Sequence, residues 1–410
     1  MIETGITAAN ILLPKVEDMS MWSVVACDQF TGELDYWKEL EKLVANKDST
    51  LNMVLPEIYL SDNNKEIIEK INNNIKNFVN KGGFKELPKG FVLTVRSTPF
   101  VKCRIGLVGA VDLECYDYKK GVKPLVRATE GTIEERIPPR LEIREKAQVE
   151  FPHIMVLFDD EKREIIEPIF NKRDKLEKLY DFNLNMGGGH IEGYFVGDYQ
   201  EVLEKFSALL LPERLVKKYG KEDKFVFAVG DGNHSLATAK AHWEKVKLTL
   251  TKEEIENHPA RFALCEFVNI YDEGIYFEPI YRVVYGIDRN KFVNEFLSTE
   301  NGKCELYNGE KYIKKAGEQT LPKCIASTDA FIKNYIEENG GTVDYIHGKE
   351  SLENIVKTNQ NTIGILFDKM DKADLFAFVS NSGSLPRKTF SMGESVEKRY
   401  YLEGRRIVKW

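Results

Sequence analysis

The sequence predicts a mixed α/β (α+β) fold with mixed sheets, centred on a buried strand that turns through a glycine-rich corner into a helix. Three observations predict it. Phe225-Val226-Phe227-Ala228-Val229 is a continuous apolar run rich in β-branched and aromatic residues, as in a buried strand. It ends in Gly230-Asp231-Gly232-Asn233-His234-Ser235, whose glycines permit backbone angles and close approaches that a Cβ would block. Beyond it, Leu236, Ala237, Ala239, Lys240 and Trp243 suit a helix with a small-residue inner face.

In chain order, Trp22 to Gln29 is strand-like and ends on the polar pair Asp28 and Gln29, before a helical pattern over Tyr36 to Val44. Ile67, Ile71, Ile75 and Phe78 predict a helix within Leu60 to Val79, stopped by Gly82-Gly83. Phe91 to Arg96 and Arg104 to Tyr116 read as neighbouring strands. Val126 to Arg140 is too polar, and too broken by glycine and proline, to be core. It sets Arg127, Arg136 and Arg140 among Glu130, Glu134 and Glu135, either as a self-paired solvated loop or as a guanidinium clamp for phosphate beside a carboxylate base. A helix over Arg140 to Phe151, a strand over Ile154 to Phe158 and a largely helical Lys162 to Leu179 follow.

Asn185 to Gly189 is a glycine turn, and alternation up to Val196 predicts a strand that begins near His190. His190 is either a sheet-edge histidine or a second imidazole near the corner. Tyr199 to Leu211 reads as a helix crossing over to the central strand, so that Gly189 to His234 forms a parallel crossover with a ligand favoured at the carboxyl ends of its strands. Thr251-Lys252-Glu253-Glu254 is a capping box, and strands over Phe262 to Ile270 and Ile275 to Tyr285 read as an antiparallel pair. Farther on, helices are predicted over Asn290 to Leu297, Ser351 to Lys357 and Asp371 to Ser380. Strands are predicted near Cys324 and over Val343 to Ile346 and Thr362 to Phe367. The chain divides into an N-terminal α/β region 1–184, a central unit 185–285 with the corner, and a C-terminal α/β region 286–410.

The 410 residues, 42% of them hydrophobic, can bury a sizeable core in more than one subdomain. With 58 Lys and Arg against 65 Asp and Glu, the net charge of −7 gives no global support to binding nucleic acid or an acidic membrane. Cys27, Cys103, Cys115, Cys265, Cys304 and Cys324 form no C-x-x-C pair, so neither a zinc knuckle nor a disulfide framework is indicated and a reducing cytoplasm is expected. Met1 to Pro14 lacks a signal-peptide pattern, and no apolar stretch approaches a membrane span.

A helix N-terminus offers unpaired N–H groups, so the corner suits a phosphate; a tight turn capped by Asp231 or Asn233 fits the same spacing. His234 exchanges protons near neutral pH, and Asp231 can hold a metal or orient a hydroxyl. The corner is not a Walker loop, because the Gly-Lys-Ser/Thr ending is absent, and Ser235 stands where a dinucleotide fingerprint has its third glycine.

Five segments, in order, resemble the family catalogued as domain of unknown function 1015. Val229 to Ser235 is similar to its Ala-Asp-Gly-His-His-Arg box, and Ala128-Thr129-Glu130-Gly131-Thr132 to a Glu-His-Thr-like segment. Gly189 to Tyr194 resembles its His-Arg-Leu-Trp strand, Glu278 to Val284 a Pro-Thr-His-Arg-Leu-Val segment, and Leu385 to Thr389 its Met-Pro-Arg-Lys-Ser-Thr tail. The box in turn resembles, more distantly, that of the partition-protein and sulfiredoxin-like group, which includes kinases acting on free serine. That resemblance implies a phosphate-binding corner with Asp231, Gly232 and His234 in phosphoryl chemistry and Glu130 as base. Asn233 and Ser235 depart from the box, replacing its first histidine and its arginine.

The resulting expectation is a nucleotide-dependent phosphotransferase acting on a small hydroxylated metabolite, with free serine as the first candidate, using Mg²⁺ and ATP or ADP. Asp231, His234 and Glu130 are the catalytic candidates, and Asp231 the Mg²⁺ ligand. Gly230, Gly232, Asn233, Ser235, Arg127, Arg140, His190, Arg387 and Lys388 are the phosphate or nucleotide contacts. The alternatives are a binding module without chemistry and a phosphohydrolase.

Overall fold

The computed structural model describes residues 3–26, 34–59, 64–119, 121–132, 137–300 and 302–409. Asp28, Gln29, Glu134, Glu135 and Arg136 lie outside them. Two compact units form, Met1–Ile275 with Glu394–Trp410, and Tyr276–Gly393. This division differs from the three regions read from the sequence.

The first unit begins with β1 (Ile6–Thr7), β2 (Ala9–Pro14), α1 (Met19–Trp22), α2 (Leu34–Leu43), α3 (Lys65–Asn80), β3 (Phe84–Ser97) and β4 (Arg104–Asp112). It continues through β5 (Tyr116–Asp117), β6 (Val126–Ala128), α4 (Ile137–Lys146), β7 (Val149–Glu150), β8 (Met155–Phe158), α5 (Ile166–Phe170), β9 (Glu177–Asn183) and β10 (His190–Val196). There follow α6 (Tyr199–Ala208), α7 (Pro212–Tyr219), β11 (Phe227–Asp231), α8 (Asn233–Lys247), α9 (Lys252–Asn257) and β12 (Phe262–Asn269). The second unit holds β13 (Phe277–Tyr285), α10 (Arg289–Leu297), β14 (Cys304–Tyr307), β15 (Tyr312–Lys315), α11 (Leu321–Asn339) and β16 (Thr342–His347). It ends with α12 (Lys349–Thr358), β17 (Thr362–Leu366), α13 (Leu375–Ser382) and β18 (Phe390–Met392), after which the chain re-enters the first unit and forms β19 (Arg405–Arg406).

The fold is mixed α/β, as expected. The first unit's main sheet runs β5-β6-β11-β8-β12-β4-β3-β10-β9, with β1 on β4 and β2 on β3. Neighbouring residues of its central strands enter opposite cores. Phe91, Leu93 and Leu107 join the cluster containing Phe227, Leu236 and Trp243, whereas Val92 and Val108 join that of Trp22 and Trp37. Burial on both faces is why these strands read as continuous apolar runs rather than alternating ones. In the second unit the sheet runs β15-β14-β17-β13-β16, with β18 on β13. Among the described residues no helix is long and apolar enough to cross a membrane.

Several expectations are corrected. β10 and β11 are not neighbours: β11 pairs in parallel with β6 and antiparallel with β8. The long connection through α6 and α7 spans several strands, and connection length alone does not name the next strand. β12 and β13 are not a hairpin but lie in different sheets. Only Ile166–Phe170 of Lys162 to Leu179 forms an α-helix, and Glu177–Asn183 is a strand with Tyr180 buried while Asp181 and Asn183 are exposed. Cys324 sits in a 19-residue helix, with Pro322 in its first turn and Cys324, Ile325, Thr328, Ile332 and Tyr335 on its buried face. Trp22 ends the one-turn α1, and Val24 makes a single bridge to Tyr401. α4 starts earlier than predicted because Pro138 and Pro139 fit a first turn, where a missing N–H costs nothing, and Val149–Glu150 is a strand.

Candidate functional site

The parallel pairing of β6 with β11 sets Ala128 against Val229, two residues before Glu130 on one strand and Asp231 on the other. The buried Thr129 hydroxyl donates to the Val229 carbonyl at 2.6 Å and ties the end of β6 to β11. On the other side of β11, Met155 of β8 pairs with Asp231 and also with Glu266 of β12. Three adjacent strands therefore present Asp231, Met155 and Glu266 in a row.

The corner is built as its glycines require. Gly232 has φ +79°, and a Cβ there would come within 2.9 Å of the Ile154 Cα, so position 232 excludes a side chain on both conformational and steric grounds. α8 starts at Asn233 with no side-chain cap bond from Gly232, which leaves first-turn N–H groups at the corner. Asn233 does not cap the helix. Its amide oxygen is buried and has no hydrogen-bond partner among the described residues. The His234 carbonyl accepts from the Thr238 hydroxyl at 2.8 Å, and His234 and Ser235 are half-buried at the mouth of the helix.

Asp231 keeps 28% of its side chain exposed. Its Oδ1 accepts from the Gly232 N–H at 2.8 Å, and its Oδ2 lies 3.1 Å from the Lys398 ammonium. Burial pushes the carboxyl pKa up, but Lys398, His153 and the Gly232 N–H together outweigh it and hold the pKa below the ordinary carboxylate value. Asp231 is thus an anion set beside a helix N-terminus and a buried cation.

That cation comes from the C-terminal segment, which the sequence reading had not singled out. Lys398 and Arg399, consecutive and both 5% exposed, meet the two flanking carboxylates. Lys398 takes Asp231; Arg399 lies 2.9 Å from Glu266, 2.6 Å from Glu403, and donates to the Pro152 carbonyl at 2.7 Å. Burial raises the pKa of Glu266, yet Arg399, Arg104 and the Thr94 hydroxyl bring it below the usual value. The segment is fixed from behind by Arg96, which donates to the carbonyls of Val396 (2.7 Å), Glu397 (3.0 Å) and Lys398 (2.7 Å). Arg104 donates to the Glu397 carbonyl, and Thr98 to the Glu397 carboxylate. A basic pair flanked by Glu397 and Glu403 beside the apolar Tyr400-Tyr401-Leu402 was the available sequence signal.

The remaining candidates are placed differently. Arg127 is bidentate on Asp223, at 3.0 and 2.5 Å, and lies over the Phe225 ring, so its guanidinium serves an internal ion pair. Arg140 is half-buried on α4, which packs on α8 through Ile137, Leu141 and Ala237. His190 opens β10, five places from β11 in the sheet order, and its ring is engaged by Asn183 (2.9 Å) and Asp181 (3.0 Å). Arg387 and Lys388 belong to the second unit, where their carbonyls accept from the fully buried Arg282.

Asp231 is in neither of the two groups with metal-ligand spacing among the described residues, Glu3-Asp112-Cys115 and Asp181-His190-Glu192. With one oxygen on Lys398 and the other on an amide, it does not fit a protein-held Mg²⁺ site, which draws on one or two available carboxylates.

Among solved structures, the chain resembles a free serine kinase in complex with AMP at 10% identity and a TM-score of 0.40, over 73% of this chain and 92% of that one. It also resembles a conserved hypothetical protein from Pyrococcus furiosus (11%, TM-score 0.37, 72% and 93%) and SbnI with C-terminal truncation from Staphylococcus aureus (10%, 0.36, 70% and 83%). These TM-scores are too low to carry an argument. No curated protein matches the chain. The family described as "Protein of unknown function (DUF1015)" matches residues 9–380, and the chain belongs to that family.

Proposed function

We propose that the protein is a nucleotide-dependent phosphotransferase acting on a small hydroxylated metabolite, with a serine-like amino acid as the first acceptor to test. The observation that supports this reading is the parallel pairing of β6 with β11, which ends with Ala128 opposite Val229, so that the chain leads from there to Glu130 on one strand and to Asp231 and the N-terminus of α8 on the other. Phosphoryl transfer needs positioning and charge stabilisation more than covalent chemistry. First-turn amides of α8 cradle phosphate, Glu130 takes the proton of the acceptor hydroxyl, Asp231 orients that hydroxyl, and His234 stabilises or protonates the transferred group. Mg²⁺ would be held by the phosphates of the nucleotide, where it would neutralise charge. Arg127 is left out, since Asp223 holds it.

Phosphorus NMR of the protein with Mg²⁺, ATP or ADP and a pool of hydroxy amino acids and small polyols tests the proposal. A new phosphomonoester signal that disappears in His234→Ala supports it. Free phosphate alone identifies a hydrolase, and nucleotide binding without product identifies a binding module.

A further inference from the structure

One face of the β9–β10 pair gathers a histidine and two carboxylates away from the corner. His190 and Glu192 are two residues apart on β10, so their side chains leave the same face, and the register sets Asn183 of β9 opposite His190 and Asp181 opposite Glu192. One ligand atom each from Asp181, His190 and Glu192 lies within 4.8 Å of the others, which is metal-ligand spacing. β10 is paired on its other side with β3 from His190 to Val196, so two of the three stand on fixed backbone, while β9 is the last strand of the sheet order and its Asp181 is exposed.

The His190 ring is oriented for a cation. Its Nδ1 lies 2.9 Å from the Asn183 amide oxygen, which only accepts, so Nδ1 carries a proton. In the neutral ring Nε2 is then bare, and it faces Asp181 Oδ1 at 3.0 Å, acceptor against acceptor. A second ring proton relieves that contact for this pair alone; a metal ion relieves it and takes Glu192 as well. An oxygen acceptor on the far nitrogen is also what orients a metal-binding histidine.

A cation already stands among these groups. The Lys178 ammonium lies 2.6 Å from Asp181 Oδ2 and 3.3 Å from Glu192 Oε2, and the Tyr194 hydroxyl donates to the same Glu192 oxygen. The lysine side chain is 46% exposed, ion pairs so open to water contribute little, and its stem can swing into solvent, so a divalent ion can take its place. The other group with this spacing, Glu3-Asp112-Cys115, is worse suited. Arg261 donates to both Asp112 oxygens, and burial pushes the Cys115 thiol up to about 12, which keeps it protonated.

We propose that Asp181, His190 and Glu192 bind a divalent transition-metal ion of the zinc class, with Lys178 as the cation that gives way to it. An imidazole with two carboxylates suits zinc better than magnesium or calcium, which take oxygen ligands. Three protein ligands leave a fourth position for water or for an oxygen of a bound molecule. Asn183 is the positioning residue of the His190 ring. The site is independent of the phosphotransferase reading, since β10 lies five places from β11 in the sheet order.

Titration calorimetry of the full chain with zinc chloride tests this on wild type, His190→Gln, Asn183→Leu and Lys178→Met. Wild type binds one zinc ion at this site. His190→Gln removes a ligand and weakens binding by at least roughly a hundredfold, and Asn183→Leu, which frees the ring, weakens it roughly tenfold to a hundredfold. Lys178→Met tightens binding, because no ammonium has to leave. Absence of zinc binding by wild type overturns the assignment. Equal affinity in wild type and His190→Gln also overturns it, and places the zinc on other groups such as the cysteines. Should His190→Gln not fold, Lys178→Met decides, since its side chain is exposed: unchanged or weaker zinc binding in that variant overturns the assignment.

Discussion

Lys398 Nζ lies 3.1 Å from Asp231 Oδ2, joining the last segment of the chain to the corner between β11 and α8. Asp231→Asn removes the negative charge that faces the buried Lys398 ammonium. Breaking a fully buried pair costs about 3–5 kcal/mol; the exposed part of Asp231 lowers this to about 2–3 kcal/mol at neutral pH. The folded carboxyl has a depressed pKa, so its contribution is complete above the unfolded value of 3.8 and disappears as pH falls through the folded one. Thermal unfolding therefore separates wild type from Asp231→Asn at pH 7, and the gap closes below about pH 4. A gap that stays constant with pH means the pair contributes nothing.

In the proposed reaction Glu130 is the base, and Glu130→Gln keeps the shape of its side chain while removing its basicity. A lost general base lowers kcat by roughly a hundredfold to ten-thousandfold and leaves KM nearly unchanged. Steady-state kinetics on whichever acceptor yields a phosphomonoester measures this. Unchanged kcat removes Glu130 from the chemistry.

Gly232→Ala combines a left-handed backbone at φ +79° with a Cβ 2.9 Å from backbone of Ile154. The conformational cost alone is about 1–2 kcal/mol, and the contact is with main chain that cannot swing away. Urea unfolding gives a loss above ~1 kcal/mol, whereas Gly187→Ala, also at positive φ but with open space around it, loses only the conformational part.

The corner was legible because its signals are local: an apolar run, two glycines, then a helical period, all within about twenty residues of sequence. β11 and α8 accordingly form where the pattern puts them. Pairing was not legible, since it joins Ala128 to Val229 across a hundred residues and only the packed sheet decides that β6, and not β10, lies beside β11. The same distance hid Lys398, which looks like a solvated lysine until Asp231 is brought to it. Arg127 was misleading for the opposite reason: a guanidinium near glutamates in sequence resembles a clamp, but its partner is Asp223, far off in sequence and just ahead of the neighbouring strand β11.

Arg282 shows what a family motif is for when it is not chemistry. It is fully buried, bidentate on Asp329 at 2.8 and 2.8 Å, and donates to the carbonyls of Ile280, Lys388 and Arg387. It therefore ties the Glu278 to Val284 segment to the Leu385 to Thr389 segment within the second unit. Lysine cannot reproduce this planar fork, so Arg282→Lys fails to rescue and loses at least about 2 kcal/mol. Limited proteolysis then cuts at 385–390 before the rest of the chain unfolds; equal protection in the variant would falsify this anchoring role.

His242, on the buried face of α8, gives the protein an acid limit of its own. Burial depresses the imidazole pKa from 6.5 to about 4; Arg144 adds to this, Glu145 and Glu150 oppose it, and His258 contributes further. Its Nδ1 is buried without a hydrogen-bond partner among the described residues. The group is neutral in the folded chain, while the unfolded chain takes up a proton as pH drops below 6.5. Its contribution to stability is thus complete above pH 6.5 and declines until about pH 4, by about 3 kcal/mol in all at 1.36 kcal/mol per unit. His242→Gln removes the titration. Urea midpoints measured from pH 7.5 to 4.5 fall more steeply for wild type than for the variant, and parallel slopes would show that His242 titrates alike in the folded and unfolded chains.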